Sequence, residues 1–191
     1  VALEDYARRA QAAYEPGRQL CLARLYGKGL EGNPHDDARA AYWFDKAARF
    51  GHREALKVLA FCHSTGRGVA RDDARAAELY RDSAERGNRE AMYALGDLYL
   101  EARGLPEDDV AAAGWFRMAA HRGEVGAQRT YGLCLLEGKG VPKDRDEALV
   151  WLRKAASAGD QDAAAAVADL DPPEPPPPDF TGWPSPSPGL Q

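Results

Sequence analysis

A repeat with a fixed period governs this chain. The segment DDARAAELYRDSAERG, which runs from Asp72 to Gly87, returns in similar form at Asp36, Asp108 and Asp144, always 36 residues from the next copy. Sequence periods of about 20–50 residues are typical of solenoids, in which each unit buries its apolar face against its neighbours. We therefore expect a solenoid of stacked, similar units.

Each copy of this segment predicts a helix. Its first aspartate is a strong N-cap, because the carboxylate accepts hydrogen bonds from the free backbone N–H groups of the first turn. Alanines and a pair of large apolar residues follow at helical spacing, and a glycine suited to the left-handed C′ position closes the copy. The recurring apolar pairs are Trp43-Phe44, Leu79-Tyr80, Trp115-Phe116 and Trp151-Leu152.

A second helix is predicted between successive copies, over 55–64, 91–100 and 127–136. Gly96 and Gly132 share a column with Ala60, which predicts a close helix crossing that leaves almost no room for a side chain. A glycine-containing loop then leads to the next copy, with Gly68, Gly104 and Gly140 aligned. The unit is thus an A helix, a loop and a B helix, and the repeats run over about 17–51, 52–87, 88–123 and 124–159.

The column pattern resembles the Sel1-like repeat, a relative of the tetratricopeptide repeat. One unit shows the resemblance at Leu95-Gly96, Tyr99 and Gly104-Leu105, and the next unit shows it at Trp115, Ala119-Ala120 and Gly123. The resemblance covers about residues 16–170. Cys21, His63 and Ala102 depart from the pattern. The resemblance implies an all-α, right-handed α-solenoid of stacked helix-turn-helix repeats.

The two ends of the chain differ from the repeats. Helices over 3–14 and 160–170 are expected to act as caps, because the terminal units of a solenoid must cover its exposed core. Nine of the thirteen prolines fall in 172–188, so we expect a solenoid domain over 1–171 and a Pro-rich tail over 172–191 in polyproline II or disordered form. Phe180 and Trp183 are the large apolar residues of this tail.

Charge and hydropathy argue against several classes of protein. The net charge is −5, whereas a nucleic-acid-binding surface usually carries a basic stripe. No stretch approaches the ~20 apolar residues that span a bilayer. The chain begins with Val1, which fits either a periplasmic protein after removal of a signal peptide or a cytoplasmic one.

No motif predicts catalysis, a metal or a cofactor. The cysteines Cys21, Cys62 and Cys134 are odd in number and widely spaced, and no H-E-x-x-H or C-x-x-C motif occurs. The paired acids Asp36-Asp37, Asp72-Asp73 and Asp108-Asp109 recur at helix starts, which favours capping and dipole complementarity over acid–base chemistry. The glycines from Gly27 to Gly32 end a helix, so they do not form a dinucleotide-binding loop.

The resemblance implies that A helices line a concave face. Its predicted partner-binding residues, taken by column, are Arg18, Lys57, Tyr93 and Arg129; Leu22, Phe61, Asp97 and Leu133; and Leu25, Ser64, Leu100 and Leu136. Such a face is unusually apolar for a solvated helix, which indicates either a binding groove or burial of the leucines between tightly wound units.

A groove with an apolar floor and a basic rim suits a peptide that carries apolar anchors and acids. The chain's own tail or a neighbour's tail fits this description through Phe180 and Trp183, and self-assembly through the tail is a further possibility. The resemblance implies a non-catalytic protein-binding scaffold or adaptor, with an immunity protein against a toxic bacterial effector as one form. The alternative is a β-lactam-binding or β-lactam-hydrolysing enzyme, as in the cysteine-rich branch of the family.

Overall fold

The computed structural model describes residues 16–28 and 36–172, and these residues form nine helices and no strand. The A helices are α1 (Pro16–Lys28), α3 (Arg53–Thr65), α5 (Arg89–Leu100), α7 (Val125–Glu137) and α9 (Gln161–Leu170). The B helices are α2 (Asp37–Ala48), α4 (Asp73–Glu85), α6 (Asp109–His121) and α8 (Arg145–Ser157). The predicted all-α solenoid of helix pairs is confirmed.

Side-chain caps begin the B helices where the sequence predicts them. Asp36, Asp72, Asp108 and Asp144 each accept a hydrogen bond of 2.9 Å from the backbone N–H three residues on. The predicted A helices begin two residues earlier than expected, because the residue after each closing glycine serves as the N-cap. In α5 this residue is Asn88, whose Oδ1 accepts from the Ala91 N–H at 2.9 Å.

A continuous hydrophobic core runs along the stack from α1 to α8, and a smaller second cluster of Leu152, Ala155 and Ala163 joins α8 to α9. Every helix packs against the helix before and after it in the sequence. The aromatic and leucine pairs of the B helices contribute large buried side chains to both clusters. Phe116 and Leu152 have no exposed surface, and Trp43, Phe44, Leu79, Tyr80 and Trp151 are buried. Each B helix therefore joins two neighbouring A helices into one layer.

The glycine column in the A helices marks the close crossing that the sequence predicts. A Cβ atom built on Gly96 would lie 2.5 Å from Cε1 of Phe116, and one on Gly132 would lie 2.9 Å from Cγ of Leu152. Both distances are shorter than a van der Waals contact, so α5 approaches α6, and α7 approaches α8, through the bare glycine backbone.

The glycine-containing loops pack onto the preceding B helix. Gly104 has φ +69°, and a Cβ there would lie 2.2 Å from the carbonyl oxygen of Asp73. Gly68 and Gly140 make the same approach to Asp37 and Asp109. Each loop therefore joins its own repeat to the start of the B helix before it.

Several predictions fall outside the described residues. These are the cap helix over 3–14 and the Pro-rich tail beyond Pro172 with Phe180 and Trp183. The stretch expected to form the C-terminal cap corresponds to α9, whose Ala163 is buried against Leu152 and Ala155.

Candidate functional site

The twelve residues predicted on the concave face, here called the candidate face, differ widely in exposure. Phe61 and Leu133 are exposed at 45% and 36%, and Arg18 is exposed as well. Seven residues are half-buried: Leu25, Lys57, Tyr93, Asp97, Leu100, Arg129 and Leu136.

Two residues of the candidate face are buried. Leu22 has no exposed area and belongs to the continuous core, so it offers no surface to a partner, contrary to its predicted place in the groove. Ser64 is 9% exposed, and Arg103, from the loop after α5, donates a hydrogen bond to its carbonyl oxygen at 3.0 Å. The small exposed area of Ser64 lines a cleft between α3 and α5.

The basic residues of the candidate face are largely paired with acids. Lys57 lies 3.0 Å from the carboxylate of Glu54, one turn earlier in α3. Arg129 lies 3.3 Å from Asp160, the N-cap of α9, and also pairs with Asp162. These two cations therefore add little net charge to the face, and its exposed apolar side chains distinguish it from an ordinary solvated surface.

Tyr93 joins three helices beneath this face. Its ring centroid lies 5.6 Å from that of Phe116 in α6, and its Cζ lies 3.6 Å from the point where a Cβ of Gly126 in α7 would stand. Burial raises the pKa of the Tyr93 hydroxyl, with a smaller contribution from Asp97. Tyr93 therefore supports the layer of A helices, and only part of its ring remains accessible.

A cleft between neighbouring A helices opens beside Phe61. This cleft, crevice one, has a volume of about 210 Å³ and lies between α1 and α3, with α2 behind it. Ala23, Phe44, Val58 and Phe61 form its apolar walls. Arg24 and Lys28 of α1 and the ion pair between Arg67 and Asp37 complete its lining.

A second cleft occupies the same position one repeat later. This cleft, crevice two, has a volume of about 160 Å³ and is lined by Ser64, Tyr80, Ala94, Asp97, Leu98, Glu101 and Arg103. Tyr80 stands in the column of Phe44, and Asp97 stands in the column of Phe61. The repeat thus builds similar clefts with different chemistry, apolar in the first and polar in the second.

The carboxyl group of Asp97, which lines crevice two, has a raised pKa. Burial, with a smaller contribution from the neighbouring Glu101 carboxylate, raises the pKa of Asp97 to about 6. Arg103 lines the same crevice, but its guanidinium is engaged by Asp73 and Glu101 at 2.8 and 3.3 Å. Asp97 is therefore a half-buried carboxyl group whose ionised form is disfavoured.

Neither crevice can be read from a single helix column, because each cleft is walled by two A helices and a B helix. The available signal was the column of Val58, Ala94 and Thr130, whose short side chains leave space between neighbouring A helices.

The described residues carry no assembled metal or redox chemistry. No group of three potential metal ligands occurs in the described part of the chain. Cys62 and Cys134 are free and buried, and burial raises the pKa of both thiols, whereas Cys21 is free and exposed. None of the helices over 16–28 and 36–172 is long and apolar enough to cross a membrane.

Comparison with known proteins gives consistent matches. The model of the Sel1 repeat matches four times, over residues 18–52, 53–88, 89–124 and 125–160. The fold is similar to that of a protective antigen present in uropathogenic Escherichia coli strains, which displays an SLR fold, with 33% identity over 89% of this chain and a TM-score of 0.83. A Sel1 repeat protein from Oxalobacter formigenes has 34% identity over 89% of this chain and a TM-score of 0.78.

This chain spans 36% and 49% of the lengths of those two proteins. The cysteine rich protein B of Helicobacter pylori is similar over 73% of this chain and 98% of its own, with 19% identity and a TM-score of 0.56, which is a likeness of fold alone. No curated protein matches the sequence.

Proposed function

Because this chain belongs to the Sel1 repeat family, we propose that it is a non-catalytic scaffold that binds a protein partner through the exposed apolar side chains of its A helices. Sel1 repeat proteins generally mediate protein–protein interactions. The proposal assigns this interaction to the part of the candidate face around Phe61 and Leu133.

The position of Phe61 carries the proposal. Its side chain is 45% exposed at the mouth of crevice one, whose walls are mainly apolar. Large apolar side chains beside an apolar cleft favour docking, because a partner gains free energy by removing both surfaces from water. Leu133 stands in the same column two repeats later and is 36% exposed, with Asp97 in that column between the two.

The B helices also expose apolar side chains, but their arrangement differs. Tyr42, Phe50, Val110, Met118 and Val150 fall in four different columns of α2, α6 and α8 and the turn after α2. Tyr42 is covered in part by Lys46, whose Nζ lies 5.2 Å from the ring centroid. Scattered single apolar residues are common on protein surfaces, so the A-helix surface is the better candidate.

Site-specific photo-crosslinking in cells of the source organism tests this assignment. A photo-crosslinking amino acid replaces Phe61 in one full-length variant and Tyr42 in another, since the two aromatic side chains have similar exposures of 45% and 44%. We expect a specific cross-linked protein at position 61 and none at position 42. Cross-linking at position 42 alone would contradict the assignment.

Under the immunity-protein hypothesis the partner is a toxic effector. Identification of the protein cross-linked at position 61 tests this hypothesis. A toxic effector cross-linked to position 61 would support the hypothesis, whereas a cross-linked protein of another class would contradict it.

The alternative of β-lactam binding or hydrolysis requires a reactive nucleophile if turnover is to occur. The buried Cys62 and Cys134 have raised thiol pKa values, which disfavours the nucleophilic thiolate. A nitrocefin assay separates the two functions: we expect no turnover, and turnover by the purified chain would overturn the non-catalytic assignment.

A further inference from the structure

We propose that crevice one binds the C-terminal segment 173–191 of a second copy of this chain, with Phe180 as the inserted side chain. The inference rests on the proposed function, because it names one occupant of the same A-helix surface. It is carried by the size of the crevice, its charge and the length of chain that follows α9.

The size of crevice one suits a single side chain. Its volume of about 210 Å³ lies below the range of about 300–1,000 Å³ that is usual for small-molecule pockets. Phe44 and Phe61 offer ring surfaces, and aromatic rings pack favourably in offset or edge-to-face arrangements. An inserted aromatic side chain can therefore fill the cleft and bury the exposed part of Phe61.

The charges around crevice one complement those of the segment. Arg24 and Lys28 line the cleft on the α1 side, and both are exposed. Residues 173–191 contain Glu174 and Asp179 and no lysine, arginine or histidine. Asp179 directly precedes Phe180, so insertion of the phenylalanine brings this carboxylate close to the two cations.

The spacing of the aromatic residues matches the spacing of the crevices. In polyproline II geometry, residues three apart lie on the same face and about 9 Å from each other. That is close to the distance of about 8–10 Å between packed helices. Trp183 follows Phe180 by three residues, so its indole N–H can donate to Asp97 in crevice two.

The length of the segment favours a second copy as its source. Crevice one lies between α1 and α3, about three and a half A-helix spacings from α9, or roughly 30 Å at the usual distance between packed helices. Eight residue steps separate Pro172 from Phe180, and eight steps at the polyproline II rise of about 3.1 Å would span about 25 Å. The crevice lies near one end of the stack and the segment leaves from the other, so docking between copies is a head-to-tail contact.

Light scattering across a range of concentrations tests the inference on the full chain. The unmodified protein should show a molar mass that rises with concentration. Phe180→Ala and Phe61→Ser should each weaken this association at least about tenfold, since either change removes most of one buried aromatic contact. Tyr42→Ser, at a position of similar exposure on α2, should associate like the unmodified chain.

Two outcomes overturn the inference. One is a monomeric molar mass at every concentration. In that case, an increase in hydrogen exchange in α3 of the Phe180→Ala variant would indicate that the segment docks within its own molecule. The other is an association that Phe180→Ala leaves unchanged. Neither outcome affects the proposed function, which fails separately if photo-crosslinking joins no protein to position 61 in the Phe180→Ala variant. Circular dichroism of Phe61→Ser establishes that the variant is folded.

Discussion

Arg103, in the loop after α5, forms an ion pair with Asp73 at the start of α4, with 2.8 Å between Nη2 and Oδ1. The same Nη2 donates to the carbonyl oxygen of Ser64, so one guanidinium ties the loop to the end of α3 and the start of α4. Hydrogen bonds from Arg71 and then Arg103 lower the pKa of Asp73. The contact recurs between Arg67 and Asp37 at 3.1 Å and between Lys139 and Asp109 at 3.6 Å.

Loss of this contact should destabilise the stack measurably. We expect Arg103→Ala to lower the free energy of unfolding by about 1–2 kcal/mol, because the pair is partly buried and adds a hydrogen bond to Ser64. Arg75→Ala is the control, since Arg75 and Glu78 form an exposed pair within α4 that should contribute less than about 0.5 kcal/mol. Urea unfolding followed by circular dichroism measures both, and equal effects would contradict this role for Arg103.

Alanine substitutions at two glycines should change the stability of the chain in opposite directions. Gly104→Ala should cost at least about 2 kcal/mol, because its φ is +69° and its Cβ would meet the Asp73 carbonyl oxygen at 2.2 Å. Gly114→Ala should instead stabilise the chain by about 0.5–1 kcal/mol, because Gly114 lies within α6 and a Cβ there meets nothing within 4 Å. Thermal unfolding of both variants provides the test, which fails if Gly104→Ala is as stable as the unmodified chain.

The close crossing of α5 and α6 predicts a compensating pair of substitutions. Gly96→Ala should destabilise the chain by about 1–3 kcal/mol, because the new methyl group would overlap the Phe116 ring. Phe116→Leu in the same chain should recover part of this loss, because leucine lacks the Cε1 and Cζ atoms that the new methyl group would overlap. A double-mutant cycle measured by urea unfolding should give a favourable coupling free energy. Additive losses would show that the ring does not limit the crossing.

Asp97 should make stability fall as the pH rises from about 4 to about 7. Its pKa is about 6 in the folded chain and about 3.9 when unfolded, so the folded state binds the extra proton between these values. The ionised form above pH 6 is the destabilising one, by about 1–2 kcal/mol after allowance for partial solvent screening.

Asp97→Asn should remove this pH dependence and raise stability at pH 7.5. Urea unfolding at pH 4.5 and 7.5 measures the difference, with Glu85→Gln as a control at an exposed position on α4. If Asp97→Asn lowered stability at pH 7.5, the ionised carboxylate would have to be a stabilising group.

The sequence predicted the features that depend on local chemistry. Asp72 could be assigned as an N-cap because the cap lies beside its own helix, and Gly96 marked the close crossing because it recurred in a column of small residues. The partner of Asp73 was missed, because Arg103 lies thirty residues away and the acid was explained by the helix dipole alone. Aligning Arg67, Arg103 and Lys139 as a basic column would have indicated the contact.

The exposure of the candidate face could not be read from the repeat alone. Leu22 and Phe61 share a column, yet Leu22 has no exposed surface and Phe61 is 45% exposed. Column position fixes which way a side chain points on its helix, whereas exposure depends on how neighbouring helices and loops close over it. Ser64 is buried as well, although it shares its column with the half-buried Leu100 and Leu136.

The affinity of the partner cross-linked at position 61 tests the binding surface most directly. Two double variants of the full chain are compared with the unmodified protein: Phe61→Ser with Leu133→Ser on the A helices, and Tyr42→Ser with Val150→Ser on the B helices. All four positions are 36–47% exposed, so the two pairs remove comparable apolar surface. We predict that the A-helix pair raises the Kd at least about tenfold while the B-helix pair changes it less than about twofold. A Kd that rises for the B-helix pair and stays unchanged for the A-helix pair would contradict the account.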